Sequence, residues 1–330
     1  MKNKLLKYIG LAVASLLVPF CSSCSGNNTD GKVSIITTIF PEYDWVMNVL
    51  GEKKDSMNVK LLLDNGADLH NYDPSPIDIV NISKCDLFIY VGGESDDWVN
   101  DVLAQAKNKN MLTINLLETL GDAAKTEEIV EGMQNGEHDH DGDHDHDHEE
   151  EEEYDEHVWL SLRNSQVFVD KIRESISTLD QANADYYKAN ADAYIANLKR
   201  LDDLYGQAVK DGNRDTILFA DRFPFRYLTD DYSLTYYAAF TGCSAETEVT
   251  SETIRFLVNK VDELQLKVIL VIEGSNGKIA QTVKNESKSK DQKILKMDSI
   301  QSASTKEYAN GRNYLSTMES NLDVLKEALK

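Results

Sequence analysis

The histidines of this 330-residue chain fall in two places. His70 stands alone, and the other six crowd into the stretch from His138 to His157. There His138, His140, His144, His146 and His148 alternate with aspartates, and five glutamates follow from Glu149 to Glu153. Thirteen acidic residues lie between Glu137 and Glu156. Neutral imidazole is a borderline ligand that suits zinc, copper and nickel. The interleaved carboxylates keep the segment negative and draw cations to it. Such a run cannot bury a core, and an ion bound there must order a flexible backbone. These five histidines are therefore expected to hold metal weakly and heterogeneously; the plainer alternative is a solvated acidic spacer. His157 differs from them. It opens Glu156-His-Val-Trp-Leu-Ser161, where the sequence turns apolar, so it can be held in place by ordered structure.

These side chains need a frame. Strands are expected at Val33–Thr38, Asn58–Leu63, Leu87–Val91 and Met111–Asn115, with helices at Glu42–Leu50, Ile77–Ser83 and Asp96–Ala106. Amphipathic helices follow at Ser165–Leu179 and from Ala182 to about Lys210. The second carries Tyr187, Ala191, Tyr194, Ile195, Leu198, Leu201 and Leu204 at helical spacing, and its mid-chain position makes it a natural connector. Strands resume at Thr216–Ala220, Thr235–Phe240, Lys267–Ile272 and Lys293–Met297, with helices at Glu252–Glu263, Ile279–Asn285 and Tyr314–Leu329. This alternation predicts an α/β protein of two lobes, each with four strands in a parallel sheet, facing across a cleft. The expected divisions are a lobe at 32–181 that includes the acidic loop 136–156, a connecting helix at 182–210, and a second lobe at 211–330.

In open α/β sheets ligands bind beyond the carboxyl ends of strands. His70 lies in the loop that follows the strand ending at Leu63. The same rule selects Asp221, Glu273 and Asp298 in the second half. Each of the three could instead cap a helix, and a lone histidine could be a hydrogen-bonded structural residue. Spacing alone does not choose among them.

The amino end reads as an export signal. Lys2, Lys4 and Lys7 precede an apolar stretch from Tyr8 to Phe20 that is too short to span a bilayer. Small Ser22 and Ser23 precede Cys24, whereas bulky Phe20 precedes Cys21. Residues 1–23 are thus expected to be cleaved, Cys24 to carry lipid, and 24–31 to act as a tether on the outer face of a membrane. The formal net charge of -23 argues against nucleic acid as a partner. Two cysteines remain beyond the signal region. Cys85 adjoins an apolar run and reads as a small buried hydrophobe, and the separation of Cys85 from Cys243 does not say whether they pair.

Several segments together resemble the solute-binding proteins of zinc and manganese ABC importers, the ZnuA-like family. They are Thr37-Thr-Ile-Phe-Pro41, Gly66-Ala-Asp-Leu-His70 with Pro74-Ser-Pro76, Asp155-Glu-His-Val-Trp-Leu-Ser161, Lys296-Met-Asp-Ser-Ile300, and Gly311-Arg-Asn-Tyr-Leu-Ser-Thr-Met318. The likeness runs from about Val33 to the carboxyl end. It implies two α/β lobes joined by a long rigid helix, with a metal bound between them by His70, His157 and a carboxylate from the segment of Asp298. Zinc members usually place a third histidine after the first strand of the second lobe. Here that region reads Leu218-Phe-Ala-Asp-Arg-Phe-Pro-Phe225, so Asp221 is taken for the role, with Arg222 as the neighbouring alternative and Glu273 in reserve. The resemblance implies a monomeric, lipid-anchored receptor that carries zinc to an importer permease and is not an enzyme. Manganese is the alternative cargo. A metal-dependent hydrolase is a more distant reading, since no His-Glu-x-x-His motif occurs.

Overall fold

Two four-stranded parallel sheets form the frame, as the alternating pattern predicts. The computed structural model describes residues 31–64, 66–134, 153–244 and 248–330. The signal segment, Cys24 and the five loop histidines His138 to His148 lie outside the described residues. The first sheet is built from β1 (Val33–Thr37), α1 (Phe40–Leu50), β2 (Met57–Leu61), α2 (Pro76–Ile82), β3 (Leu87–Tyr90), α3 (Trp98–Ala104) and β4 (Leu112–Asn115), in strand order β2-β1-β3-β4. Three helices follow: α4 (Leu116–Leu120), α5 (Leu162–Leu179) and α6 (Ala184–Asp211). The second sheet takes β5 (Thr216–Phe223), α7 (Arg226–Asp231), β6 (Thr235–Thr241), α8 (Ser251–Glu263), β7 (Val268–Ile272), α9 (Lys278–Glu286) and β8 (Lys293–Met297), in order β6-β5-β7-β8. Then α10 (Thr305–Ala309) and α11 (Tyr314–Ala328) close the chain.

Both sheets are covered on both faces, so β3 (Leu-Phe-Ile-Tyr) and β7 (Val-Ile-Leu-Val-Ile) are buried along their whole length. The connector α6 runs for 28 residues, about 42 Å at 1.5 Å per residue. It buries Tyr187, Ala191, Tyr194, Leu198, Leu201, Tyr205 and Ala208 and packs on α5, α1 and α11. Helix α11 follows the second sheet yet returns to this layer. Its first residue, Tyr314, packs edge-on to Trp45 of α1 at 5.3 Å between ring centroids, and Phe168 of α5 lies 5.7 Å from the same indole. One apolar core therefore runs through both lobes.

Helices α4, α7 and α10 were not expected. At five or six residues they are too short to show a periodic pattern. Strand β5 also outruns its predicted end at Ala220, and its pairing with β6 slips between Phe219 and Arg222. Asp221 thus sits within an irregular strand and not beyond its end.

Polar contacts tie the lobes across the seam. The Asp64 carboxylate accepts hydrogen bonds from the Thr305 amide (2.6 Å) and hydroxyl (2.7 Å). The Tyr227 hydroxyl donates to the Asp155 carbonyl at 3.1 Å and accepts from the Lys125 amide at 2.9 Å. The fully buried Trp159 donates its indole N–H to the Ser299 carbonyl at 2.8 Å.

Two acids of α1 give the fold a pH dependence. Glu42 reaches back to accept the amides of Thr38 (2.8 Å) and Ile39 (3.2 Å), and Asp44 accepts the Tyr194 hydroxyl at 2.9 Å. Burial, with the charge of Asp96 added, pushes Glu42 up to about 8. Burial pushes Asp44 up to about 7, against the lowering effect of the Tyr194 hydrogen bond. Both pKa values are higher folded than unfolded, so the folded state holds protons that the unfolded chain releases. Their contribution is complete below the unfolded values and is lost as pH rises through the folded ones. The urea midpoint of the metal-free protein should therefore fall between about pH 5 and about pH 8, and Glu42→Gln should flatten that slope.

Candidate metal centre

Loops at the carboxyl ends of the strands converge on one point between the lobes. After β2, Asp68 accepts the His70 amide at 3.2 Å and fixes a short 3-10 turn, Leu69–Asn71. After β3, Gly92 and Gly93 adopt positive φ, and the loop reaches Ser95. A Cβ on Gly93 would stand 2.5 Å from the Glu156 carboxylate, so only glycine admits that side chain. The segment before α5 brings in Asp155, Glu156 and His157. The second lobe contributes Gly242 and Cys243 from the end of β6 and Ser299 to Gln301 from the end of β8.

At the convergence the two imidazoles face each other. Their Nε2 atoms lie 3.2 Å apart and their ring centroids 5.1 Å apart. The side chains are 7% and 0% exposed for His70 and His157 respectively, so the pair is closed from solvent. Each ring is pinned through its other nitrogen. His157 Nδ1 lies 3.0 Å from Asp155 Oδ1, and the same oxygen accepts the His157 amide at 2.8 Å. His70 Nδ1 lies 2.9 Å from Ser95 Oγ and 3.2 Å from Glu156 Oε2. Acceptors at both Nδ1 positions put the N–H there and aim the Nε2 lone pairs at each other. This is the arrangement by which an outer carboxylate orients an imidazole for a metal. Burial pushes the Glu156 carboxyl up, but the His70 N–H and the Ser95 amide, which donates at 2.7 Å, outweigh it and hold the group below its usual range.

The structure does not bring the expected aspartates to this pair. Ligand atoms that lie within 4.8 Å of one another come from His70, His157 and Cys243, so Asp221 and Asp298 stand outside that cluster. Asp298 is held in a fork by Arg312 Nη2 at 2.9 and 2.8 Å and accepts the Ile300 amide at 2.8 Å. Asp221 accepts the neighbouring Arg222 amide at 3.0 Å through Oδ1, while its Oδ2 is buried without a described partner. Arg222 itself reaches across the seam to Asp68 at 2.7 Å. Burial raises the Asp68 carboxyl, and that guanidinium more than reverses the effect, holding it below its ordinary value. The reserve residue Glu273 accepts the Ser299 amide (2.7 Å) and hydroxyl (2.5 Å). Burial, with Asp298 nearby, raises its pKa. Asp298 and Glu273 therefore shape the β8 loop.

Two residues at the pair carried no signal in the sequence. Gln301, 4% exposed, places its amide nitrogen 2.8 Å from His157 Nε2 and 3.3 Å from His70 Nε2. Nothing about a single glutamine marks it as a site residue. The Cys243 thiol is pushed well above its ordinary range by burial and then by Asp155, Glu127 and Glu156. Cys85, 1% exposed, is the small buried hydrophobe that the sequence suggests, and both cysteines are free thiols.

Comparison with known proteins agrees with this architecture. Residues 35–328 match the family model for zinc-uptake complex component A, periplasmic. The zinc-binding lipoprotein AdcA of Streptococcus pneumoniae is 31% identical over 98% of this chain, which spans 61% of that protein's length. The high-affinity zinc uptake system protein ZnuA of Bacillus subtilis is 30% identical over 98% of both chains. The crystal structure of the Zn(II)-bound ZnuA-like domain of S. pneumoniae AdcA superposes with a TM-score of 0.69 at 27% identity, covering 91% of this chain and 99% of that domain. A match across nearly the whole chain, on two parallel sheets with a long helix between them, places this protein in the ZnuA family of zinc-uptake components.

Proposed function

We propose that the protein is an extracytoplasmic receptor that captures zinc between its lobes and delivers it to the permease of an ABC importer. The observation that carries this reading is the buried pair of Nε2 atoms 3.2 Å apart, each ring held through Nδ1 by an acceptor. Two unprotonated imidazole nitrogens at that separation repel unless a cation or a donor lies between them. The names of the relatives supply the cargo, since AdcA and ZnuA are zinc proteins by description. Lipid on Cys24 would keep the receptor at the outer face of the membrane, and one copy holds the whole histidine pair. The histidine-rich segment would raise the local zinc concentration without forming the transport site, because it encodes no fixed geometry.

Competitive titration of the mature protein with zinc and manganese tests the reading. One tight site is expected, with zinc preferred. His70→Ala and His157→Ala should each weaken it by at least about a hundredfold, since even outer-shell changes cost 10–100-fold. Tight binding that survives either change removes that residue from the site. Replacing residues 137–152 with a short Gly-Ser linker should abolish extra, weaker zinc binding and leave the tight site intact. The replacement spares Glu153, whose carbonyl accepts the Glu127 amide at 2.8 Å. Cys24→Ala should release the protein from the membrane fraction, and continued anchoring would point to Cys21.

A further inference from the structure

A tetrahedral zinc ion needs two ligands beyond the histidines. Of the expected carboxylates, Asp298 is committed to Arg312 and the reserve Glu273 to Ser299, while Asp221 lies outside the histidine cluster. Two other side chains already stand at the pair. We propose that the Cys243 sulfur and the Gln301 carboxamide oxygen complete the site, giving a two-histidine, one-thiolate, one-amide centre that favours zinc over manganese. The proposal rests on the reading of the histidine pair as the zinc site.

Bond lengths of about 2.0–2.1 Å to nitrogen and about 2.3 Å to sulfur put tetrahedral ligand atoms roughly 3.3–3.6 Å apart. The histidine nitrogens are at 3.2 Å, already close to that spacing. Cys243 offers its sulfur within 4.8 Å of a ring nitrogen of each histidine. The loop that carries it is pressed against the ring. A Cβ on Gly242 would lie 2.9 Å from His157 Cε1 and 2.9 Å from the Phe223 carbonyl, so glycine is what lets the end of β6 approach. Glu127 accepts the Cys243 amide at 3.1 Å and holds the loop there.

Gln301 is aimed by backbone strain. The preceding residue, Ile300, takes φ of 64°, a conformation rarely adopted by a β-branched residue and one that the surrounding packing must impose. In this structure the amide N–H groups satisfy both imidazole lone pairs from a position spaced like a neighbouring ligand of the same ion. A half-turn of the terminal amide replaces nitrogen with oxygen at nearly the same position. It leaves the NH2 facing Ser299 Oγ, which now lies 3.3 Å from Gln301 Oε1 and can accept as well as donate. Ligation by Cys243 makes a zinc–sulfur bond and sends the thiol proton to solvent; a bound cation takes the sulfur as thiolate. Soft sulfur favours zinc and is a poor partner for manganese.

Cobalt(II) titration of the mature chain reads the sulfur directly through a sulfur-to-cobalt charge-transfer band in the near ultraviolet. The histidine-rich segment contains no sulfur and cannot contribute to it. The band should appear at one equivalent in the unchanged protein and in Cys85→Ser, and vanish in Cys243→Ser. The Cys243→Ser protein should stay folded by circular dichroism and bind zinc at least about tenfold more weakly. Gln301→Leu should weaken zinc to a similar degree, and Gln301→Glu, which adds a negative ligand, should tighten it. Cobalt bound one-to-one and lost in His70→Ala, yet without the band, would overturn the sulfur ligand and leave the zinc reading standing. Unchanged zinc affinity in Gln301→Leu would overturn the amide ligand. If the unchanged protein binds neither ion tightly, both the ligand set and the zinc reading fall together.

Discussion

Two imidazole lone pairs held 3.2 Å apart in a buried site repel each other, and much of the architecture around them exists to keep them there. The orientation comes from behind the rings. Asp155 takes the N–H of one and Ser95, with Glu156, takes that of the other, so neither ring can rotate without leaving a buried polar group unpaired. Gln301 relieves the repulsion by donating to both nitrogens. A metal ion would do so more strongly.

The scaffold reaches this point because parallel strands all end on the same side. His70, Ser95, Cys243 and Gln301 follow β2, β3, β6 and β8, so four carboxyl ends from two sheets contribute to one small volume. His157 comes from the segment that leads into α5, and it is held by its neighbour Trp159. That indole is wholly buried and bonded to the Ser299 carbonyl, while its own carbonyl accepts the Tyr314 hydroxyl at 2.6 Å. One residue, through its indole and its carbonyl, thus fixes His157 in the first half of the chain relative to the Gln301 loop and α11 in the second.

Charge around the site is arranged in layers. Carboxylates at Asp155 and Glu156 lie directly behind the rings, where negative charge attracts a cation without binding it first. Further out, Arg222 with Asp68 and Arg312 with Asp298 neutralise acids at the seam. For Asp298, at the end of β8, the Arg312 contact turns the carboxylate away from the histidines.

The sequence by itself determined the architecture, because the signals for it are local. Alternating apolar runs and helical spacing mark all eight strands and the long helices, and the α6 stripe from Tyr187 to Ala208 is legible residue by residue. His157 stands where the acidic segment turns apolar, His70 follows a strand end, and their likeness to the family's segments marked both, while the Asp155-Glu-His motif carries its own outer shell. Tertiary structure decided the rest of the site. Asp221 and Asp298 have the right chemistry at the right ends of strands, but the register slip in β5 and the Arg312 fork depend on contacts far apart in the chain. Gln301 and Cys243 lie 144 and 86 residues from His157, and a neutral amide or a single thiol gives no hint of its neighbours. Their approach depends on the space beside Gly242 and the strained backbone at Ile300, both of which exist only once the two lobes have packed together.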